Sequence, residues 1–230
     1  MKLHQILLLL CMLSCGGTGG PSPVPPDPSG STGRLKYLAL GDSYTIGQSV
    51  SVDERWPVKL AGDLEKTGKP VATPDIIAMT GWTTYNLLNA LDQNKPSDKY
   101  DLVSLLIGVN NQYQGRSIEE YRTQFHELLL RSITYAAGEP KRVFVLSIPD
   151  WGVTPYGASD REKIALDIDR FNAVAKEECE KQKVLFIDIT GISRQALNDP
   201  AMIATDQLHF SGIMYQLWVY EAMPKVKALL

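Results

Sequence analysis

LALGDSYTIG, residues Leu38–Gly47, sets the reading of the whole chain. An apolar run ends at a glycine, and a serine follows two residues later. A strand entering a tight turn explains the break, because glycine takes backbone conformations that other residues avoid. A serine at the top of such a turn is either a hydroxyl held out for chemistry or an ordinary helix N-cap.

Outward from this stretch, largely apolar runs recur at Tyr37–Leu40, Ile76–Met79, Leu102–Ile107, Val143–Ile148 and Val184–Ile187. None alternates strictly, which is how strands buried on both faces read. Helical patterns lie between them. Trp56, Leu60 and Leu64 step by four, and Thr83–Leu91 fits a short helix. Ser117-Ile118-Glu119-Glu120 is a capping box before a helix with Ile118, Tyr121, Phe125 and Leu128 on one face. A long helix is predicted from about Asp160 to Glu180, and Ser211 is the expected cap of a last helix that Pro224 limits or kinks. This alternation predicts an α/β fold with a five-stranded parallel sheet between helical layers. The pattern leaves the strand order open. Ligands in such sheets sit beyond the carboxyl ends of the strands. Gly41-Asp42-Ser43, Thr80-Gly81 and Gly108-Val109-Asn110 all fall there.

The N-terminus has a different character. Lys2 precedes the apolar run Ile6–Leu13, the order of a secretory signal and too short for a membrane span. Met12-Leu13-Ser14-Cys15-Gly16 resembles a bacterial lipobox, whose cysteine becomes the lipidated first residue; plain cleavage near Gly16 is the alternative. Residues 1–14 are therefore expected to be a lipoprotein signal, with Cys15 lipidated. Residues 15–34, rich in Gly, Pro and Ser, are expected to be a disordered tether, and residues 35–230 a single domain. The 230 residues carry a formal net charge of −3, with no basic cluster, which argues against a nucleic-acid partner. Of the three cysteines only Cys179 lies in the domain. It shares a helical face with Ile164, Ile168, Phe171 and Ala175 and reads as a buried free thiol.

The chemistry of the glycine-serine turn narrows by exclusion. The chain has no GxxxxGK[ST], and GDSYTIG lacks the GxGxxG spacing and the GxSxG elbow. A serine nucleophile needs a base, and there are three histidines. His4 is in the signal segment, and His126 falls on a charged helix face with Glu119 and Arg122. His209 stands in Asp206-Gln207-Leu208-His209. The spacing of three puts Asp206 and His209 on one side of a helical turn, where the carboxylate could orient the ring. A helix-cap aspartate and a surface histidine give the same pattern. Donors for an oxyanion are available at the Ser43 and Gly81 backbone N–H groups and the Asn110 side chain. A plain turn and a loop cap are the other readings of the last two. With one plausible histidine and no thiolate cluster, no metal site is expected.

Together these blocks resemble the SGNH-hydrolase superfamily, the GDSL esterases and lipases, from Leu35 to the C-terminus. The first block matches Gly41-Asp42-Ser43-Tyr44. The second-block glycine matches Gly81 in Met79-Thr80-Gly81-Trp82. The GxND block matches Gly108-Val109-Asn110-Asn111, and the DxxH block matches Asp206 and His209. Two positions depart: Asn111 stands where aspartate is frequent, and Phe210 where proline is frequent. The resemblance implies a three-layer α/β/α sandwich of flavodoxin-like SGNH type. It also implies a cofactor-free carboxylic-ester hydrolase with Ser43, His209 and Asp206 as triad and Ser43, Gly81 and Asn110 as oxyanion hole. GDSYTIG and SIPDWGVTP (147–155) look closest to bacterial lysophospholipase-like esterases, which implies a lipase or lysophospholipase acting on a small-molecule ester. A carbohydrate-ester deacetylase acting on an acylated sugar is the alternative, and a lipid-anchored binding protein on a hydrolase fold is the non-enzymatic one. Trp82, Asn111, Tyr113, Arg116, Trp151 and Phe210 are candidate substrate-binding residues, with Tyr156 beside them; Arg116 would meet an anionic group. The lipobox implies anchoring in a bacterial envelope, as a periplasmic or outer-membrane lipoprotein. Acyl length, head group and oligomeric state are not encoded legibly.

Overall fold

The structure is a computed structural model that describes residues 33–96 and 99–230. The expected signal segment, the Cys15 lipidation site and most of the tether lie outside the described residues.

Five strands form one sheet: β1 (Tyr37–Gly41), β2 (Asp75–Ala78), β3 (Leu102–Leu106), β4 (Val143–Leu146) and β5 (Leu185–Ile187). Their order is β2-β1-β3-β4-β5 and every pair is parallel. This is the flavodoxin-like order, with the direction of winding reversing between β1 and β3. β1, β3 and β4 are buried at every position, while the edge strands β2 and β5 are partly covered. Continuous apolar runs belong in the middle of such a sheet because both faces are covered by helices. The second strand starts at Asp75, earlier than the apolar run, because Asp75 pairs in register with Leu38.

Among the described residues, eight α-helical segments flank the sheet. They are α1 (Ser43–Ile46), α2 (Trp56–Lys66), α3 (Thr84–Gln93), α4 (Val109–Tyr113), α5 (Ile118–Tyr135), α6 (Arg161–Gln182), α7 (Thr190–Ser193) and α8 (Gly212–Lys227). α2 packs on α8, and α5 packs on both α3 and α6, giving two helical layers about the sheet. Trp56, Leu60 and Leu64 of α2 are fully buried, and each such side chain contributes roughly 1.5–3 kcal/mol. Thr83 caps α3: its Oγ1 accepts from Asn86 N, and Asn86 Oδ1 accepts from Thr83 N at 3.0 Å. Ser117 Oγ accepts from Glu120 N at 3.1 Å, which is one half of the expected capping box; the Glu120 carboxylate accepts from Gln124 Nε2 at 3.2 Å instead of from Ser117 N. Cys179 is fully buried on α6 along with Ile164, Ile168, Phe171 and Ala175.

Two local expectations differ from the structure. Ser211 stands at the N-cap of α8 as expected, but its hydroxyl donates to Ala201 O at 2.6 Å and makes no capping bond. Pro224 does not stop α8, which continues to Lys227. Proline removes the bond to the carbonyl four residues back. Here that residue is Tyr220, which is exposed, so water can take the freed carbonyl. Among the described residues no helix is long and apolar enough to cross a membrane.

Candidate active site

β1 runs inside the sheet between β2 and β3 and ends at Gly41, where no side chain fits. A Cβ there would stand 2.2 Å from Thr45 Oγ1 and 2.5 Å from Leu106 O. This close approach lets the chain turn straight into α1. Asp42 Oδ1 accepts from Tyr44 N at 3.1 Å and so caps that single turn, which ends at Gly47 in the left-handed region (φ 73°). Ser43 is the first residue of the turn, where a backbone N–H has no carbonyl a turn back to bond. Its side chain lines an open pocket of about 140 Å³. Asp42 lies underneath, fully buried. Burial pushes its carboxyl up to about 7, although the N–H groups around it pull the other way.

His209 reaches the same pocket from a loop ahead of α8. The segment is not the helical turn expected from the spacing of Asp206 and His209. The Asp206 carboxylate takes the backbone N–H groups for itself. Its Oδ1 accepts from Leu208 N at 3.0 Å and His209 N at 2.9 Å. Gln207 between them adopts φ 63°. Such an Asx turn competes with helix. The loop is closed by an antiparallel bridge between Ile203 and Phe210. The consequence for the ring matches what the spacing was expected to achieve: His209 Nδ1 meets Asp206 Oδ2 at 2.6 Å. Burial raises the Asp206 carboxyl, but hydrogen bonds from Ser49, from the two backbone N–H groups and from His209 outweigh it and hold the group well below the usual carboxylate range. An ionised Asp206 only accepts, so Nδ1 carries the hydrogen and Nε2 keeps a lone pair. An edge-on contact with Tyr44, at 5.6 Å between centroids, holds the other side of the ring.

Ser49 was not singled out by the sequence. Its hydroxyl donates to Asp206 Oδ2 at 2.6 Å from the loop after α1, with φ 66°. No hydrogen bond joins Ser43 Oγ to His209 in this structure, and such bonds are frequently long before substrate binds.

The other two loops come from β2 and β3. Gly81 adopts φ 84° in a turn closed by Trp82 N donating to Met79 O at 3.2 Å. Positive φ at the third position of a turn is what glycine supplies without strain. Asn110 lines the pocket, and its Nδ2 donates to Trp82 O at 2.9 Å, tying the two loops together. One of its two amide hydrogens is left for a ligand. Gly108, which precedes α4, has φ 129°, and a Cβ there would come within 2.6 Å of Tyr121 and 2.8 Å of Ile148. Gly81 itself lies off the pocket wall, coupled to it through Asn110.

The remaining candidates divide. Tyr113 and Trp151 line the pocket. Trp82 is half-buried beside it, and Tyr156 is exposed and bonded to Tyr113 through their hydroxyls at 3.1 Å. Phe210 is fully buried against Tyr44 and Trp218 and is a core residue, not a wall of the pocket. Asn111 is also fully buried: its amide accepts from Thr84 N at 3.0 Å and donates to Thr84 Oγ1 at 2.7 Å. It braces the start of α4 and does not line the pocket. Arg116 is exposed and faces a separate depression with Arg170 and Glu119. His126 is remote from the site and pairs with Glu178 at 3.0 Å. Among the described residues no group of three or more His, Cys, Asp or Glu gathers as metal ligands would.

The profile of the "GDSL-like Lipase/Acylhydrolase family" matches residues 39–217. A search of curated proteins found no match. Among solved structures, a lipase/acylhydrolase from Enterococcus faecalis is similar with a TM-score of 0.65 and 20% identity, over 84% of this chain and 96% of that one. TesA matches with a TM-score of 0.65 and 18% identity, over 85% and 100% of the two chains. Axe2, an acetylxylan esterase from Geobacillus stearothermophilus, matches with a TM-score of 0.64 and 18% identity, over 84% and 94%. At these identities the likeness is one of fold.

Proposed function

Because the chain belongs to the GDSL-like lipase/acylhydrolase family, and is thus a carboxylic-ester hydrolase, we propose that Ser43, His209 and Asp206 carry out its reaction on short-chain acyl esters. The observation that carries the assignment is the convergence of Ser43 and an Asp206-oriented His209 on one pocket. Ser43 Oγ attacks the ester carbonyl carbon as His209 Nε2 takes its proton. The carbonyl oxygen becomes an oxyanion, received by the Ser43 N–H and the Asn110 amide, while the Gly81 turn supports Asn110 through Trp82 O. When the C–O bond breaks, His209 gives its proton to the leaving alcohol. Water then attacks the acyl-serine by the same route, releasing the acid and restoring Ser43.

Pocket size supports a short acyl group. An engineered cavity of roughly 150 Å³ holds one benzene, and the pocket here is about 140 Å³. An acetyl group fits inside, whereas a fatty chain would have to lie outside. This favours a carbohydrate-ester deacetylase over the lipase or lysophospholipase that the sequence blocks resembled. One structural neighbour, Axe2, is described as an acetylxylan esterase. We also propose that Cys15 carries lipid and anchors the enzyme in a bacterial envelope; a mass shift lost in Cys15→Ser tests this, and an unmodified Cys15 in membrane fractions ends the idea.

The catalytic assignment is tested with p-nitrophenyl esters from acetate to palmitate. Ser43→Ala and His209→Ala are expected to lower kcat/KM by roughly 10⁴-fold or more. Full activity in either variant would remove it. Activity highest on acetate supports the short-acyl reading, and a peak at eight or more carbons would restore the lipase.

A further inference from the structure

We propose that Tyr113, Trp151 and Tyr156 form a platform for a pyranose ring, so that the alcohol part of the substrate is a neutral acylated carbohydrate presented to Ser43. This rests on the esterase reading above and adds the site that receives the other half of the ester.

The three aromatic residues come from two parts of the chain, Tyr113 after β3 and Trp151 and Tyr156 after β4; Tyr113 and Trp151 line the pocket and Tyr156 adjoins them. Trp151 packs edge-on to Tyr113 at 5.5 Å and tilted to Tyr156 at 6.1 Å. The tyrosine hydroxyls meet at 3.1 Å. Tyr113 is 55% exposed and Tyr156 56% exposed, so both present ring surface to solvent. They are nevertheless fixed. Trp151 Nε1 donates to Gln112 Oε1 at 2.8 Å, locking the indole to α4, the short helix that carries Tyr113. The turn that carries Trp151 is capped by buried Asp150, whose Oδ1 accepts from Gly152 N and whose Oδ2 is paired with Arg194, both at 2.9 Å. Tyr156 N donates to Gln207 O at 3.2 Å, joining the platform to the loop that holds His209.

Rigid aromatic rings with wet hydroxyls give large contact area at little cost in ordering. In a pair of bonded hydroxyls one hydrogen serves the pair, leaving the other hydrogen and free lone pairs for a ligand. A sugar ring has an apolar C–H face for the aromatic surface and hydroxyls for those groups. A methylene chain would leave the hydroxyls unused. Charge points the same way. Among the described residues, apart from His209, no ionisable acid or base side chain other than tyrosine lines the pocket, and Arg116 faces elsewhere. A phosphate head group would find no cation there.

The test uses the purified full-length protein with two probes, p-nitrophenyl acetate and peracetylated xylobiose. The ratio of kcat/KM for the sugar over the aryl ester is expected to fall tenfold or more in Tyr113→Ala and in Tyr156→Ala. Most of it should be retained in Tyr156→Phe, which keeps the ring. Binding of the sugar to Ser43→Ala protein, by calorimetry, should weaken by a similar factor when either tyrosine is removed. If the wild type cleaves the aryl ester but the Ser43→Ala protein binds no sugar, the platform falls and the esterase stands. If the sugar binds through the tyrosines but neither probe is cleaved, the platform stands and the catalytic assignment falls. An unchanged ratio in both alanine variants, or losses confined to long-chain esters, overturns the proposal.

Discussion

Asp42 and Asp206 are two carboxyls of one site that environment drives in opposite directions. Burial lifts Asp42 to about 7, while hydrogen bonds hold Asp206 low against its own burial. An aspartate in the unfolded chain titrates near ~3.9. Between that pH and about 7 the folded chain holds a proton on Asp42 that the unfolded chain has released. Stability from this group is therefore full at low pH and declines as pH rises toward the folded value. Asp206 does the reverse: its contribution is present above the ordinary carboxyl range and is lost as pH falls. Asp42→Asn keeps an acceptor for Tyr44 N and cannot ionise. Its melting temperature should decline less between pH 5 and 7.5 than that of the wild type; parallel curves would show that Asp42 is already charged. Ser49→Ala removes one of the hydrogen bonds that hold Asp206. Because Ser49 is exposed, water replaces part of the loss, and kcat should fall less than about tenfold with KM unchanged. A loss as large as that of His209→Ala would place Ser49 in the machinery itself.

At this scale the sequence was readable wherever a residue type was scarce. With three histidines, elimination led to His209, and the DxxH spacing brought Asp206 with it. Ser49 was not readable. Its partner is 157 residues away, and a serine in a polar loop carries no local mark of such a bond. Phe210 and Asn111 were drawn toward the substrate by their neighbours in sequence. In each, the next residue along the chain points the opposite way: one into the core, the other against Thr84.

Among the elements, strands were the most legible, because burial on both faces leaves continuous apolar runs that little else produces. The loop at Asp206 was less so. Spacing of three suits a helical turn, but a carboxylate that accepts two nearby backbone N–H groups builds a different turn with the same side-chain result. Glycines separate similarly once space is known. Gly108 and Gly138 both have positive φ, at 129° and 82°, but only Gly108 is crowded by neighbours. Gly108→Ala should cost about 2–4 kcal/mol, from overpacking plus backbone strain. Gly138→Ala should cost only about 1 kcal/mol, from strain alone. Urea midpoints measure both, and equal shifts would mean that Tyr121 and Ile148 give way freely.

For the whole molecule, the sheet order brings the loops after β1, β2, β3 and β4 to one edge with the loop ahead of α8, and polar bonds join the five. Asn110 ties the β3 loop to the β2 loop, Ser49 ties the β1 loop to Asp206, and Tyr156 ties the β4 loop to Gln207. The folded unit takes hold by Arg34, which bonds Val71 O at 3.1 Å and pairs with Glu65 at 2.7 Å. Both Arg34 and Glu65 are largely exposed, so starting the chain at Leu35 instead of Gly33 should cost less than about 1 kcal/mol. Thermal melts of the two versions compare them, and a larger gap would mean that Arg34 anchors β1.

Cys179 gives this architecture a built-in clock. It is the one cysteine from residue 33 onward, it is fully buried, and burial pushes its thiol well above the usual range. A reagent that attacks thiolates finds nothing to react with until α6 lifts away. In a chain from Gly33, the rate of labelling at this single sulfur therefore counts opening events of the layer that supports Trp151 and its turn. A ligand on the aromatic platform would slow that count without touching the sulfur.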